Sequence, residues 1–223
     1  MKKIVFCVVV CLVPLVLVGC GTSIKTDVVN NMSDIRYDIF VGQAEGVVVN
    51  LMTGLRENPY AYDGNSNKKT EFGVITVSFE HQPTQNVHFA LSIDGVTTSG
   101  VLEENPYNHT FMADIEKIVS NDSGVFLTLE GTVQNLQLIP ISKTWAVQYS
   151  QALDIAVNAL QEDINEAYKN KKFQAECYLK IVLDQTNVDK PYYWCFMIVY
   201  AEGGSKSIVF DVNTGQILTQ NNA

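Results

Sequence analysis

Histidine and basic residues are scarce in this chain: three His, and 15 Lys and Arg against 24 Asp and Glu. A surface this poor in cations repels phosphate backbones, which excludes nucleic acid as a partner class. His81, His88 and His109 are scattered without ligand spacing, and no zinc pattern of Cys and His is present. There is no Gly-x-Ser-x-Gly elbow, phosphate loop or dinucleotide fingerprint. The residues therefore call for no cofactor and outline no catalytic centre. Also lacking is an apolar run long enough to span a bilayer, which takes about 20 residues. The longest, Ile4 to Val18, is 15 residues long and contains Pro14.

What precedes and follows that run is informative. Lys2 and Lys3 give a positive flank, and Gly19-Cys20 give a small-residue boundary, which is the layout of a signal peptide. Leu17-Val18-Gly19-Cys20 resembles the lipobox of bacterial lipoproteins. The resemblance implies cleavage before Cys20, diacylation of its sulfur, and a membrane-tethered protein on the outer face of the cell membrane. Two acyl chains hold a protein stably where one holds it marginally. Loss of residues 1–19 removes two lysines and no acid, leaving 13 basic against 24 acidic residues, net −11. Residues 20–34, the lipidated cysteine followed by "GTSIKTDVVNNMSD", are expected to be a flexible tether with a reach of about 20 Å.

The remaining length is enough for one large or two small cores, and the texture favours two units. Residues 35–141 hold short β-like runs such as "FGVITVSFE", "VHFALSIDGVTTSGVL" and "GVFLTLEG", punctuated by Gly, Asn, Asp and Pro. Asp94-Gly95 between two such runs is a hairpin signal, because glycine accepts the positive φ of tight turns. This part reads as an antiparallel β-sandwich or barrel-like domain.

From residue 142 the pattern changes. Leu153, Ala156, Val157, Leu160, Ile164, Ala167 and Tyr168 form one apolar stripe, predicting a helix from Ser150 to about Lys171. Three strands are expected after it, over "FQAECYLKIVL", "YYWCFMIVY" and "KSIVFDVNTGQIL". A helix followed by three antiparallel strands is the order of PepSY-like modules. The close "SIVFDVNTGQIL", with Asp211, Thr214, Gly215, Ile217 and Leu218, and the Ala-rich "SQALDIAVNAL" are similar to that family's signatures. The resemblance implies an α+β fold class, with residues 142–223 as a PepSY-like unit, and a role in binding or restraining partners such as peptidases. Asp-x-x-Thr-Gly also has a plain reading as turn chemistry.

Several residues stand out as candidate sites. If Cys195, Met197 and Val199 lie under the helix, Trp194, Phe196, Ile198 and Tyr200 form a second apolar face, which packs on the β domain or serves a partner. Cys177 and Cys195, on adjacent strands, are either a cross-strand disulfide or two buried thiols. Glu57-Asn58-Pro59-Tyr60 recurs as Glu104-Asn105-Pro106-Tyr107. Convergence of Tyr60 and Tyr107, with Tyr37 and Tyr62 nearby, would line a carbohydrate or peptide site. Asp63, Asn65, Asn67 and Glu71 have the alternate spacing of calcium ligands, but Lys68 and Val74 replace the glycine and glutamate of such loops, so no metal is assigned.

Together these observations favour a membrane-anchored, noncatalytic binding or regulatory module for a peptide, protease or envelope component, using an aromatic surface or an open sheet edge. The alternatives are a cell-envelope hydrolase using acids such as Asp38, Glu45 or Asp114, and a structural envelope or assembly protein. An enzyme would need a cleft with converging acids.

Overall fold

The computed structural model describes residues 23–59, 61, 63, 66–184 and 192–222. Helix α1 (Ile24–Asn30) leads into β1 (Met32–Ala44), followed by β2 (Val47–Glu57), β3 (Lys69–Phe79), β4 (Val87–Ile93), β5 (Val96–Glu104), β6 (Phe111–Ile115), β7 (Val125–Leu129) and β8 (Val133–Pro140). A 3-10 turn (Ser142–Thr144), α2 (Tyr149–Ala159), α3 (Gln161–Glu166) and a short hairpin of β9 (Tyr168–Lys169) and β10 (Lys172–Phe173) come next. The chain closes on β11 (Ala175–Leu183), β12 (Tyr192–Tyr200), β13 (Ser205–Asp211) and β14 (Ile217–Asn222).

Strands β1-β2-β3-β6-β5-β4-β7-β8 form a closed antiparallel barrel, because β8 returns to pair with β1. Alternation drives this arrangement. In β4, "VHFALSI", Val87, Phe89, Leu91 and Ile93 are buried while the residues between them are not. They meet Phe40, Leu51, Ile75, Leu127 and their neighbours in one packed interior. Each such side chain contributes about 1.5–3 kcal/mol by leaving water. Two corners of the barrel are thin. β1 and β8 share only Phe40↔Pro140 and Val41↔Ile139, and β5 and β6 share only Glu103↔Met112 and Glu104↔Phe111.

Strand β1 also has a second set of neighbours. Its first residues pair in parallel with β11 (Met32↔Cys177, Ile35↔Leu179), and β12, β13 and β14 follow antiparallel. The carboxylate of Asp34, buried, joins the two strands by accepting from Arg36 Nη2 at 3.0 Å and Lys180 Nζ at 3.2 Å. Helices α1, α2 and α3 and the start of β1 cover one face of β11–β13. This second core contains Val28, Met32, Leu153, Leu160, Ile164, Leu179, Phe210 and Val212. Opposite Ile35 stands Leu55, next to Gly54, where a Cβ would lie 1.8 Å from the Ile35 carbonyl oxygen; the irregularity between Arg36 and Asp38 needs a glycine there.

The expected α+β class, with a sandwich or barrel domain followed by a PepSY-like helix and three-stranded sheet, is corrected by this architecture. Among the described residues the chain is mostly β: an eight-stranded closed barrel, four further strands on the same sheet, the small β9–β10 hairpin and three short helices. The physical reason is β1, which belongs to the barrel and also supplies an edge for parallel pairing to β11. The helix expected over residues 150–171 is two helices, interrupted at Leu160 (φ −108°, ψ 28°) and finished by Glu166, although Leu153, Ala156, Leu160, Ile164 and Ala167 of its apolar stripe are buried, with Val157 and Tyr168 half-buried. Residues 24–34, expected within the tether, are instead α1 and the head of β1, with Val28, Met32, Ser33 and Asp34 buried.

Candidate functional site

The aromatic row of β12 faces inward. Pairing of Cys177↔Ile198, Leu179↔Phe196 and Ile181↔Trp194 puts Trp194, Phe196 and Ile198 under the helices, the reverse of the parity expected from sequence. All three are buried, and Tyr200 is half-buried with its hydroxyl donating to the Asp163 carbonyl at 3.3 Å. Trp194 also meets Trp145 edge to face at 6.2 Å. These side chains are core and offer no exposed aromatic surface.

The cysteines separate by the same register. Cys177 shares the inner face, while Cys195 stands opposite Lys180 on the other face, and both thiols are free. Burial pushes both thiols up, away from the thiolate. No cross-strand bond forms.

Those of the other candidates that are described lie apart from one another. Tyr107 is 94% exposed on the loop between β5 and β6. Tyr60 and Tyr62 lie outside the described residues, as does Cys20. Because β2, β3, β6 and β5 alternate in direction, Glu57 and Glu104 leave opposite ends of the barrel. Tyr37 instead packs on Tyr149 at 5.7 Å. Of the calcium candidates, Asn65 lies outside the described residues, Asp63 is exposed, Glu71 Oε2 accepts from Ile118 N, and Asn67 N donates to Glu57 at 2.8 Å. The buried Glu57 carboxylate takes a second bond from Ala61 N and so organises this loop itself. Among the described residues no cluster of three His, Cys, Asp or Glu could hold a metal.

The three acids named for hydrolysis occupy different elements. Asp38 accepts from Ser142 Oγ and Asn121 Nδ2, Asp114 pairs with Arg56, and Glu45 stands in the exposed β1–β2 turn. Burial raises the Asp38 carboxyl above its usual range, but no second acid of this group faces it. Asp211 performs turn chemistry: its Oδ1 accepts from Asn213 N and Thr214 N, both at 2.8 Å, and from Thr214 Oγ1 at 3.1 Å. Gly215 (φ +71°) closes that turn with its N–H on the Asp211 carbonyl.

What the structure leaves open is strand edge. β14 is the outer strand of the sheet, and each of its residues Ile217 to Asn222 is exposed. The segment "ILTQNN" carries no charge and no proline, the devices that ordinarily blunt an edge. Asp211 N donates to the Gln216 carbonyl on this side, and Tyr200 N to the Gly204 carbonyl on the other. The odd-numbered residues of β13 therefore bond β14, which aims Thr219 and Asn221 at Val209 and Ser207 and leaves the backbone groups of Gln220 and Asn222 pointing outward. The sequence signal for this edge was the uncharged, proline-free end of a chain otherwise rich in acids. No protein-family model, curated protein or solved structure matches this chain.

Proposed function

We propose that this chain is a lipid-anchored extracytoplasmic protein that binds an extended protein or peptide segment, without catalysis, by adding it as a strand to β14. The observation that carries the reading is the exposed edge of β14, whose outward N–H and C=O groups are already aligned. A partner strand then gains main-chain hydrogen bonds with little ordering cost on this side. The anchor rests on Leu17-Val18-Gly19-Cys20 after the apolar run. The separation of Asp38, Glu45 and Asp114 favours binding over hydrolysis. Ser23, three residues after Cys20 in the sequence, already caps α1, which keeps the body close to its anchor, and its acidity holds it off anionic headgroups.

The test is made in intact cells, with a photo-crosslinking residue replacing Leu218, which is 52% exposed. A discrete crosslinked species is expected, and Gln220→Pro should remove it, because proline deletes an outward donor while leaving the bonds to β13 in place. Cys20→Ser should release the protein from the membrane fraction. Crosslinking that is indifferent to Gln220→Pro, or a Cys20→Ser protein that stays with the membrane, overturns the reading.

A further inference from the structure

The thin β5–β6 corner contains a second place for a strand. Pairing between these strands stops at Glu103↔Met112, and toward Val96 on β5 and Ile115 on β6 the two diverge. The cleft between them has a volume of about 480 Å³, with Thr98, Ser99, Gly100 and Val101 on one wall, Ala113 and Asp114 on the other, and Phe89 at its base. β5 is "VTTSGVLEE", uncharged over its first seven residues, and Val96 and Val101 are exposed.

The direction of the backbone follows from the hairpin. Asp94 (φ +50°) and Gly95 (φ +84°) make a two-residue turn, so Ile93 and Val96 flank it as a hydrogen-bonded pair. Alternation then turns Val96, Thr98, Gly100 and Leu102 toward β4, and Thr97, Ser99, Val101 and Glu103 toward β6. Glu103 finds Met112; no strand of the described chain pairs with Thr97, Ser99 or Val101. On β6 the same alternation aims the backbone of Asp114 into the cleft from the far side. Two strand edges thus face one gap, and a segment lying in it gains a ladder on β5 and a contact on β6.

Side chains specify the occupant. Gly100 presents no side chain, and the buried Phe89 ring lies 2.8 Å from where its Cβ would be, so an aromatic ring of the core closes the base of the cleft. The rim carries Glu103, Glu104 and Asp114 and no Lys, Arg or His. Glu104 bonds His109 and Asp114 bonds Arg56, while Glu103 makes no ion pair among the described residues. We infer that the β5–β6 cleft is a docking site for an extended polypeptide with alternating apolar residues and flanking lysines or arginines, supplied by a partner protein. A second copy of this acidic chain is disfavoured by like charge. The site is distinct from β14, and its test reads the two separately.

The probe is the labelled peptide Lys-Lys-Thr-Val-Thr-Val-Thr-Val-Lys-Lys, titrated into the soluble chain from Gly21 onward and followed by fluorescence anisotropy. Saturable binding is expected at or below about 1 mM, and the same core with glutamate flanks should bind at least about tenfold more weakly at low salt. Ser99→Pro removes a donor that faces the cleft and none that faces β4, and should also weaken binding by about tenfold or more with an unchanged thermal melt. Amide exchange on the wild-type chain decides the matter even if Ser99→Pro disturbs folding: Thr97, Ser99 and Val101 should slow with peptide, and Gln220 and Asn222 should not. No saturable binding, equal binding of the glutamate-flanked peptide, or protection confined to Gln220 and Asn222 overturns the assignment.

Discussion

The indole Nε1–H of Trp194 donates to the carbonyl oxygen of Val147 at 2.9 Å, deep in the core under α2. Val147 N in turn donates to the Val212 carbonyl, so one aromatic side chain ties β12 to the segment that enters α2 and, through it, to the end of β13. Trp194→Phe keeps a ring in place but leaves a buried carbonyl unpaired, and we expect a loss of about 1–3 kcal/mol in urea unfolding. An unchanged midpoint would mean that this residue lies on a solvated face.

Gly54 faces a stricter limit. With its would-be Cβ 1.8 Å from the Ile35 carbonyl oxygen, Gly54→Ala requires movement of the β1 backbone, and should cost about 3 kcal/mol or more or prevent folding. Gly124→Ala is the control: its nearest neighbour is 3.7 Å away, and its stability should stay within about 0.5 kcal/mol of the parent. Equal stability of the two variants would refute the register of β1 on β2.

Three tyrosines give the fold an alkaline limit. Burial, assisted by nearby acids, pushes the phenols of Tyr37, Tyr168 and Tyr200 from 10.0 up to about 12. The folded state then holds protons that the unfolded chain has released, so their contribution is fully present below pH 10 and is lost as pH rises toward 12. Urea midpoints should fall across that window in the parent, and less in the variant carrying Phe at all three positions. Parallel declines would remove these groups as the cause.

The thiols offer a chemical check. Alkylation of the chain from Gly21 onward, without reductant, should add two labels after unfolding, since Cys177 and Cys195 are free. In the native state Cys177 should not react and Cys195 should react slowly, because burial raises both thiols. A single species with no label after unfolding would establish a disulfide instead.

Local chemistry was legible in the sequence, and pairing over distance was not. Asp94-Gly95 forms the hairpin its turn preference demands, Asp211 and Gly215 form their turn, and Leu153, Ala156, Leu160 and Ile164 share one buried stripe. The inward face of β12 is not legible from sequence, because alternation fixes which residues travel together but not which side is inward. That choice is made by the register of β12 on β11, which sets Trp194 opposite Ile181. The parallel pairing of β1 with β11 leaves no local mark, and the interruption at Leu160 falls on a residue that continues the helical stripe. For the candidate sites, residue type drew attention to aromatics and acids, whereas the open edges of β5 and β14 are defined by which strands they lack.

Met32 and Cys177, partners across β1 and β11, stand 145 residues apart in the chain. A polypeptide delivered from its N-terminus thus presents α1 and the head of β1 first and completes them nearly last, after the barrel strands have already been made. Until β11 arrives, Val28, Met32 and Ile35 have only part of their cover, so this early-emerging part of the fold needs protection during biogenesis.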